Sequence, residues 1–250
     1  MLKVVIQSVF ALKNGLSRRG IVRNYSYDSM VNSIKNYFAL RAGVTPPYNH
    51  VCQVGDPVLR LQAEPVDLET IPTPEFQKFI EHLIAVMRNY DAYGLAASQI
   101  GVPLQVFVIE TSEKNYEENL KTTSAGQPLE IVPLRVFINP KMKIIDYKIF
   151  TYPEACVSIC GFAAHVPRAK SIRIDAFDVS GKPFVWNAVG WPARIAQHEM
   201  DHLQGKLYTD KMDPKTLSCV VWDLVNFKEG KLAMDYRPHT RSKFRSFFYT

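Results

Sequence analysis

Two stretches of the chain place hydrophobic residues at helical spacing. After Thr73, Pro74 and Glu75, apolar side chains recur every three or four positions, at Phe76, Phe79, Ile80, Leu83, Ile84 and Met87. This spacing puts them on one face, which predicts an amphipathic helix with Thr73 as its N-cap and Pro74 in its first turn. A second predicted helix begins at Trp191-Pro192 and ends at Gly205, because proline suits a first helical turn and glycine suits a helix end.

The region between these helices has the composition of β-strands. Runs rich in β-branched and aromatic residues lie at Gln105–Glu110, Leu134–Asn139, Lys143–Thr151, Ser171–Phe177 and Phe184–Val189. Ser180-Gly181 predicts a hairpin turn before the last run, the polar residues 111–130 predict a surface loop, and Pro214–Phe227 predicts a short further helix. The order of helix, strands and helix predicts an α+β fold of mainly antiparallel β-sheets packed around a central second helix.

The composition is that of an ordinary globular domain. Of 250 residues, 47% are hydrophobic and 22% are charged, which is enough material for a core. No apolar run approaches the roughly 20 residues that cross a bilayer, so no transmembrane segment is expected. The four cysteines, Cys52, Cys156, Cys160 and Cys219, form no C-x-x-C pair. A disulfide framework is therefore disfavoured, and a reducing compartment is expected.

The net charge of +6 is concentrated at the two ends of the chain. Residues 1–25 contain five basic residues and no acid, and residues 226–250 contain six basic residues and two acids. The middle of the chain therefore carries a net charge of −3. A basic core that binds nucleic acid specifically is not supported by this distribution.

The acid-free residues 1–25 resemble a mitochondrial transit peptide. Their apolar residues can share one helical face opposite Lys3 and Lys13. Arg23-Asn24-Tyr25-Ser26 resembles a matrix-protease site that is cut after Tyr25, which predicts a location in the mitochondrial matrix. The alternative is a disordered basic tail. Residues 26–50 are expected to be a lead-in that becomes extended at Thr45-Pro46-Pro47.

The second predicted helix contains the motif H-E-x-x-H, from His198 to His202. Positions four apart lie on one helical face, so the two imidazoles can bind one divalent ion such as zinc or iron(II). Glu199 lies beside the first imidazole, where a carboxylate can accept the proton of an attacking water. The alternative is a surface helix with two incidental histidines. Two histidines also leave such a metal site short of a third ligand.

Three positions are candidates for the third ligand. One class of zinc peptidases takes it from the last residue of H-E-x-x-H-x-x-G-x-x-H, but that position is Tyr208 here, which disfavours the class. Glu229 lies downstream in the basic tail and is a weak candidate. Cys156 follows a predicted strand among small residues, and a thiolate with two imidazoles makes a three-ligand site. A buried thiol without a metal is the alternative, and spacing alone leaves both open.

Three stretches of the chain resemble, in order, the motifs of peptide deformylases. They are Gly94-Leu95-Ala96-Ala97-Ser98-Gln99, Glu154-Ala155-Cys156-Val157-Ser158 and Gln197-His198-Glu199-Met200-Asp201-His202. The family patterns are G-x-G-x-A-A-x-Q, E-G-C-x-S and Q-H-E-x-D-H. The resemblance implies a catalytic domain at residues 51–213, in which Gln53–Arg60 and Leu134–Pro140 are similar to the animal mitochondrial form. Residues 214–250 are then a C-terminal helix and a basic, aromatic tail.

The resemblance implies a metal-dependent hydrolase. Such an enzyme removes the formyl group from the N-terminal formylmethionine of newly synthesised mitochondrial polypeptides and releases formate. Cys156, His198 and His202 would hold one divalent ion, which is Fe²⁺ in typical members and Zn²⁺ or Co²⁺ in others. Glu199 would be the general acid and base, taking a proton from the attacking water and delivering it to the departing amine. Gln99 and the backbone N–H of Val157 would stabilise the oxyanion.

The resemblance also implies roles for neighbouring residues. Gly94, Leu95 and Ala155 would contact the substrate. Glu154 and Arg168 would form an ion pair that fixes the loop carrying Cys156, unless they are unrelated surface charges. Asp201 would orient a ligand histidine or cap local structure, unless it occupies a solvated helix position. The implied partners are N-formylmethionyl nascent polypeptides, and the mitochondrial ribosome and a second copy of the chain are further candidates.

The chain departs from the family motifs at two glycines, which are Ala92 and Ala155 here. If Ala155 needs a positive φ, alanine costs on the order of 1 kcal/mol, and its methyl group would narrow the substrate channel. We therefore expect an active hydrolase that is slower than its relatives. The alternatives are a metallopeptidase of another class and a non-catalytic paralogue that keeps the metal and binds nascent chains.

Overall fold

A computed structural model of the protein describes residues 45–113, 116–117 and 129–238. The predicted transit peptide, most of the lead-in, most of the predicted 111–130 loop and the tail from residue 239 lie outside these residues. Among the described residues, no helix combines the length and the apolar character that crossing a bilayer requires.

The first predicted helix is confirmed as α1, Pro74–Asn89. The hydroxyl of Thr73 accepts a hydrogen bond from the backbone N–H of Phe76 at 3.3 Å, which satisfies one of the free donors of the first turn. The buried face of α1 consists of Phe76, Ile80, Leu83, Val86 and Met87. This face forms one hydrophobic cluster with the strands that follow α1 in the chain.

The β-strands form one antiparallel sheet. They are β1 (Gly94–Ala96), β2 (Val106–Thr111), β3 (Val132–Ala155), β4 (Phe162–Phe177), β5 (Pro183–Val189) and β6 (Ser218–Cys219). The first five lie side by side in chain order, and β6 pairs with the start of β4. The prediction of an α+β protein with a mainly antiparallel sheet is confirmed.

The two strands predicted at Leu134–Asn139 and Lys143–Thr151 are a single strand, β3. Its pairing with β4 shifts register between Ile138 and Lys141, so Pro140 is accommodated in an irregularity where no ladder hydrogen bond is needed. Asn139 has a φ of 51° there, and its side-chain amide makes two hydrogen bonds, at 2.8 and 2.7 Å, with the backbone of Val66. These tertiary contacts keep the strand continuous.

Two further boundaries differ from the prediction. β4 begins at Phe162 and not at Ser171, because it pairs with the whole second half of β3. The predicted helix at Pro214–Phe227 is wrong, since only its end is an α-helix, α3 at Trp222–Phe227. Pairing of β6 with β4 competes with helix formation in the residues that precede α3.

The second predicted helix is α2, Trp191–Leu203. It packs against strands β1 to β5, and its buried apolar residues join the sheet in one cluster, including Ala193, Ala196 and Met200. Gly205 follows α2 with a φ of +66°, as expected for a glycine at a helix end. Five polar residues of α2 are also buried, namely Arg194, Gln197, Glu199, Asp201 and His202. Buried polar groups need hydrogen-bond partners, and the residues that pair with these side chains form the candidate site.

Candidate metal centre

Three potential metal ligands converge where β3 ends beside α2. The ligand atoms of Cys156, His198 and His202 all lie within 4.8 Å of one another. The Sγ atom of Cys156 is 3.4 Å from Nε2 of His202, and both residues are buried. The two histidines reach one point because they are four residues apart on α2, and Cys156 reaches it because β3 runs directly into this region.

The donor set suits a divalent transition metal ion. Nδ1 of His198 lies 3.1 Å from a carboxylate oxygen of Glu154, which leaves its Nε2 as the ligand atom. Burial lowers the pKa of His202 well below its usual value, so its imidazole is neutral, as a metal ligand requires. A thiolate with two imidazoles is a ligand combination for zinc, iron or cobalt. The residues present therefore fit the ion that the motifs imply.

Glu199 is buried next to this cluster. Its Oε2 atom has no hydrogen-bond partner among the described residues. Burial raises the pKa of Glu199 to about 7, although the charges of His198 and Arg168 act to lower it. A carboxyl group that titrates near neutral pH can both accept and release a proton.

The absence of a side chain at Gly94 leaves space for the carboxylate of Glu199. A Cβ atom built on Gly94 would lie only 2.5 Å from Oε1 of Glu199. Side chains alternate along a strand, so Leu95 points to the opposite side of β1, where it is fully buried in the hydrophobic cluster of α1. Leu95 is not among the residues that line the cavity of about 180 Å³ beside the cluster. Gly94 and Ala155 do line that cavity.

Gln99 lies in the short 3-10 helix Ala97–Ile100 that follows β1. Its Oε1 accepts a hydrogen bond from the backbone N–H of Ala96 at 2.8 Å, which orients the amide. Its Nε2 donates to the hydroxyl of Ser158 at 3.1 Å and lies 3.6 Å from Sγ of Cys156. The Gln99 amide group therefore faces the loop that begins at Cys156.

A cavity of about 180 Å³ opens beside the cluster. Its lining includes Gln99, Cys156, Val157, His198 and Glu199, and its other walls are largely apolar. Tyr93 and Trp191 form part of these walls, with their rings in a T-shaped contact at 5.1 Å between centroids. The cavity thus combines polar groups at one end with an aromatic wall, which is the usual character of a small-ligand site.

A buried ion-pair network joins the elements that carry the cluster. Arg168, on β4, donates two hydrogen bonds to the carboxylate of Glu154 at 2.9 and 2.8 Å, and a third to Asp201 on α2. Arg194 lies 3.0 Å from the same Glu154 carboxylate. Burial alone would raise the pKa of Glu154, but its contacts with Arg168 and His198 hold it well below its usual value. Glu154 is therefore ionised and faces His198, one of the two candidate ligand histidines.

The expected role of Asp201 needs correction. Its carboxylate pairs with Arg168 and Lys211, whereas the carboxylate that contacts a candidate ligand histidine belongs to Glu154.

Sequence reasoning also missed Arg194, which lies four residues before His198 and donates to the backbone oxygens of Tyr152 and Val166 at 2.8 and 2.7 Å. The spacing of four residues between Arg194 and His198 places both side chains on one face of α2, and this spacing was the sequence signal that could have identified Arg194.

The two departures from the family motifs cause no backbone strain. Ala155 is the last residue of β3 and pairs with Ala163 on β4. It is not among the non-glycine residues of the described chain that have a positive φ. Ala92 and Ala155 both line the cavity, so their methyl groups add to its apolar wall.

Comparisons with known proteins agree on one family. The polypeptide deformylase family model matches residues 48–218. The human mitochondrial peptide deformylase is 48% identical over 181 residues, which cover 72% of this chain and 74% of that protein. Peptide deformylase 1 of Streptomyces coelicolor is 38% identical over 168 residues, which cover 67% of this chain and 75% of that protein. The crystal structure of peptide deformylase from Thermotoga maritima is 29% identical and superposes with a TM-score of 0.55, over 67% of this chain and 99% of that one.

The ion-pair network predicts a large loss of stability when Arg168 is replaced. In Arg168→Met, Glu154 and Asp201 lose a buried cationic partner, so we expect the free energy of unfolding to fall by about 3–5 kcal/mol. Arg173→Met is the matched control, because Arg173 pairs with Asp175 at the exposed surface and should change stability by less than about 1 kcal/mol. Urea denaturation at equal metal content measures both. Equal losses in the two variants would contradict the buried network.

Proposed function

The chain belongs to the peptide deformylase family, and from that premise we propose that it removes the formyl group from the N-terminal formylmethionine of newly synthesised mitochondrial polypeptides. Formate is the second product. The observation that carries the proposal is the convergence of Cys156, His198 and His202 with Glu199 at one end of an apolar cavity. Family membership identifies the reaction, and this convergence provides the groups that the reaction needs.

Cys156, His198 and His202 are the proposed metal ligands. A divalent ion held by them would act as a Lewis acid and lower the pKa of a water molecule toward neutrality. Fe²⁺ is the proposed ion, with Zn²⁺ and Co²⁺ as alternatives that the same donor atoms accept. The hydrogen bond from His198 to Glu154 supports this role, because it holds the ring in the tautomer and orientation that a ligand needs.

Glu199 is the proposed general base and general acid. It would accept a proton from the attacking water and then deliver it to the nitrogen of the departing amine. Two observations support this assignment, namely the pKa of about 7 that burial produces and the Oε2 atom without a hydrogen-bond partner. A base with a pKa near the working pH is present in the reactive form and still releases its proton.

The side-chain amide of Gln99 and the backbone N–H of Val157 are the proposed donors to the oxyanion. Both residues line the cavity beside Cys156. The amide orientation of Gln99 is set by its bonds to Ala96 and Ser158, so little reorganisation accompanies the reaction. The loss of one such donor typically raises the barrier by about 2.7–4 kcal/mol.

The apolar part of the cavity is the proposed site for the methionine side chain. Tyr93, Trp191 and Ile195 contribute to its walls. An unbranched, flexible thioether adapts to such a space and makes favourable contacts with aromatic rings. The substrate backbone would then pass along Gly94 and Ala155, which both line this cavity.

The alternative of a non-catalytic paralogue has less support. Its sequence basis is the replacement of two family glycines by Ala92 and Ala155, and neither of these positions has a positive φ. The groups proposed for proton transfer and for oxyanion stabilisation are present together. We therefore expect turnover, and the two substitutions are expected to affect its rate.

Glu199→Gln separates the chemistry from metal binding. The amide keeps the shape of the side chain but cannot accept the proton, so kcat for formate release from formyl-Met-Ala-Ser should fall by at least about 100-fold. Metal content, measured by atomic emission, should stay close to one ion per chain. Wild-type protein that holds metal but releases no formate would refute the proposed function.

Gly94→Ala tests whether space for Glu199 matters to the rate. The new methyl group would overlap with the Glu199 carboxylate and displace it, which predicts a fall in kcat of about tenfold to 100-fold without loss of metal. Ala92→Gly is the opposite change, since it removes one methyl group from the same cavity and restores a family glycine, so its kcat should not fall. A Gly94→Ala variant with wild-type kcat would contradict this account of Gly94.

We further propose that the protein is located in the mitochondrial matrix, as the basic, acid-free residues 1–25 indicate. A fluorescent reporter fused after residue 45 should enter mitochondria. The same fusion with Arg18, Arg19 and Arg23 replaced by glutamine should import poorly, because import signals of this type depend on basic residues. A wild-type fusion that stays cytosolic would exclude this location.

A further inference from the structure

The segment Val51–Val54 is hydrogen-bonded to both parts of the chain that carry the proposed oxyanion donors. At one position, the backbone N–H of Cys52 donates to the carbonyl oxygen of Gln99 at 2.8 Å. Two residues later, the backbone N–H of Val54 donates to the carbonyl oxygen of Ser158 at 2.7 Å. Gln99 and the loop after Cys156 come from distant parts of the chain, so this segment sets the distance between them.

The side chain of Gln53 strengthens this connection. Its Nε2 donates to the carbonyl oxygen of Val157 at 2.8 Å and to that of Val51 at 3.2 Å. Its Oε1 accepts a longer bond, at 3.4 Å, from the backbone N–H of Cys160. One partly buried amide therefore contacts both ends of the turn from Val157 to Cys160. Gln53 lies outside the cavity lining that holds Cys156 and Glu199.

The other end of the segment is anchored in the protein interior. The backbone N–H of Val51 donates to the hydroxyl oxygen of Tyr90 at 3.1 Å, and that hydroxyl donates to the carbonyl oxygen of Tyr236 at 2.6 Å. Tyr90 follows the last residue of α1 and is buried. The segment is therefore held at both ends, and a movement of the Cys156 loop must break hydrogen bonds to it.

We propose that Gln53 is a positioning residue for deformylation, which holds the carbonyl oxygen of Val157 and so fixes the peptide unit that follows Val157. Because this unit is joined at the Cα of Val157 to the peptide unit that carries the Val157 N–H, the bond restrains the direction in which that N–H points toward the oxyanion. The proposal rests on the function proposed above. A donor contributes fully only when it lies 2.7–3.1 Å from the developing oxyanion, and displacements of about 1 Å can cost about 100-fold in rate. Loosening the loop should therefore affect kcat more than KM, because the oxyanion develops only in the transition state.

Gln105 provides a matched control. It is a partly buried glutamine whose Nε2 also donates to a backbone carbonyl, that of Ala63 at 3.2 Å. It does not line the cavity. If Gln53 is merely structural, Gln53→Leu and Gln105→Leu should have similar effects on stability and no effect on kcat.

The kinetic test compares these variants as metal-loaded proteins. For Gln53→Leu we expect kcat to fall by about 10-fold to 100-fold, KM to change by less than about twofold and metal content to stay unchanged. Gln53→Glu keeps the size of the side chain and can still accept from Cys160, but it cannot donate to Val157, so it should show the same loss. Gln105→Leu should keep the wild-type kcat. The Glu variant covers the case in which the Leu variant does not fold.

Hydrogen exchange gives a readout that does not depend on turnover. In both Gln53 variants the backbone amides of residues 157–160 should exchange faster than in the wild type, and in Gln105→Leu they should not. Unchanged kcat, or unchanged exchange in that loop, would overturn the role of Gln53. Wild-type protein that releases no formate would refute the proposed function and, with it, the kinetic role. An active wild type with normal kcat in the Gln53 variants would refute only the latter.

Discussion

The bidentate ion pair between Arg168 and Glu154 is the interaction on which the site depends. It joins β4 to the end of β3, two residues before Cys156, and the bond from Arg168 to Asp201 extends it to α2. Buried charges are tolerated only when their partners are complete. The thiol and both imidazoles therefore share one electrostatic framework, in which Glu154 touches His198 directly. The geometry of the candidate metal ligands and the stability of the fold therefore both depend on Arg168, Glu154 and Asp201.

Periodicity predicted most of the secondary structure, since burial on one face leaves a repeat of two or 3.6 in the sequence. It located α1 with its cap at Thr73, and the start of α2 at Trp191. It failed where pairing between distant segments decides the conformation. β3 continues through Pro140 because β4 and Val66 support the irregularity, and no local pattern shows this. The residues of β6 become a strand for the same reason.

The residues of the candidate site were also predictable from the sequence only in part. The spacing of His198 and His202 follows from helix geometry. The position of Cys156 after a predicted strand made it a candidate ligand, and only the resemblance to a family motif favoured that role over a buried thiol. Glu154 and Asp201 are both acidic residues of the motifs, and only the three-dimensional structure shows which one contacts His198. The role proposed for Gln53 has no local sequence signal, because its partners Val157 and Cys160 lie more than 100 residues away.

The unbroken pairing at the end of β3 has a consequence for how this chain can change in length. From Ile149 to Ala155, each residue faces a partner on β4 without a register shift. Insertion of one residue there would reverse the alternation of side chains and turn Glu154 away from Arg168. Insertions and deletions in this stretch are therefore constrained to even numbers. Nearer the middle of the strand, the existing shifts between Ile138 and Ile149 can absorb a single residue.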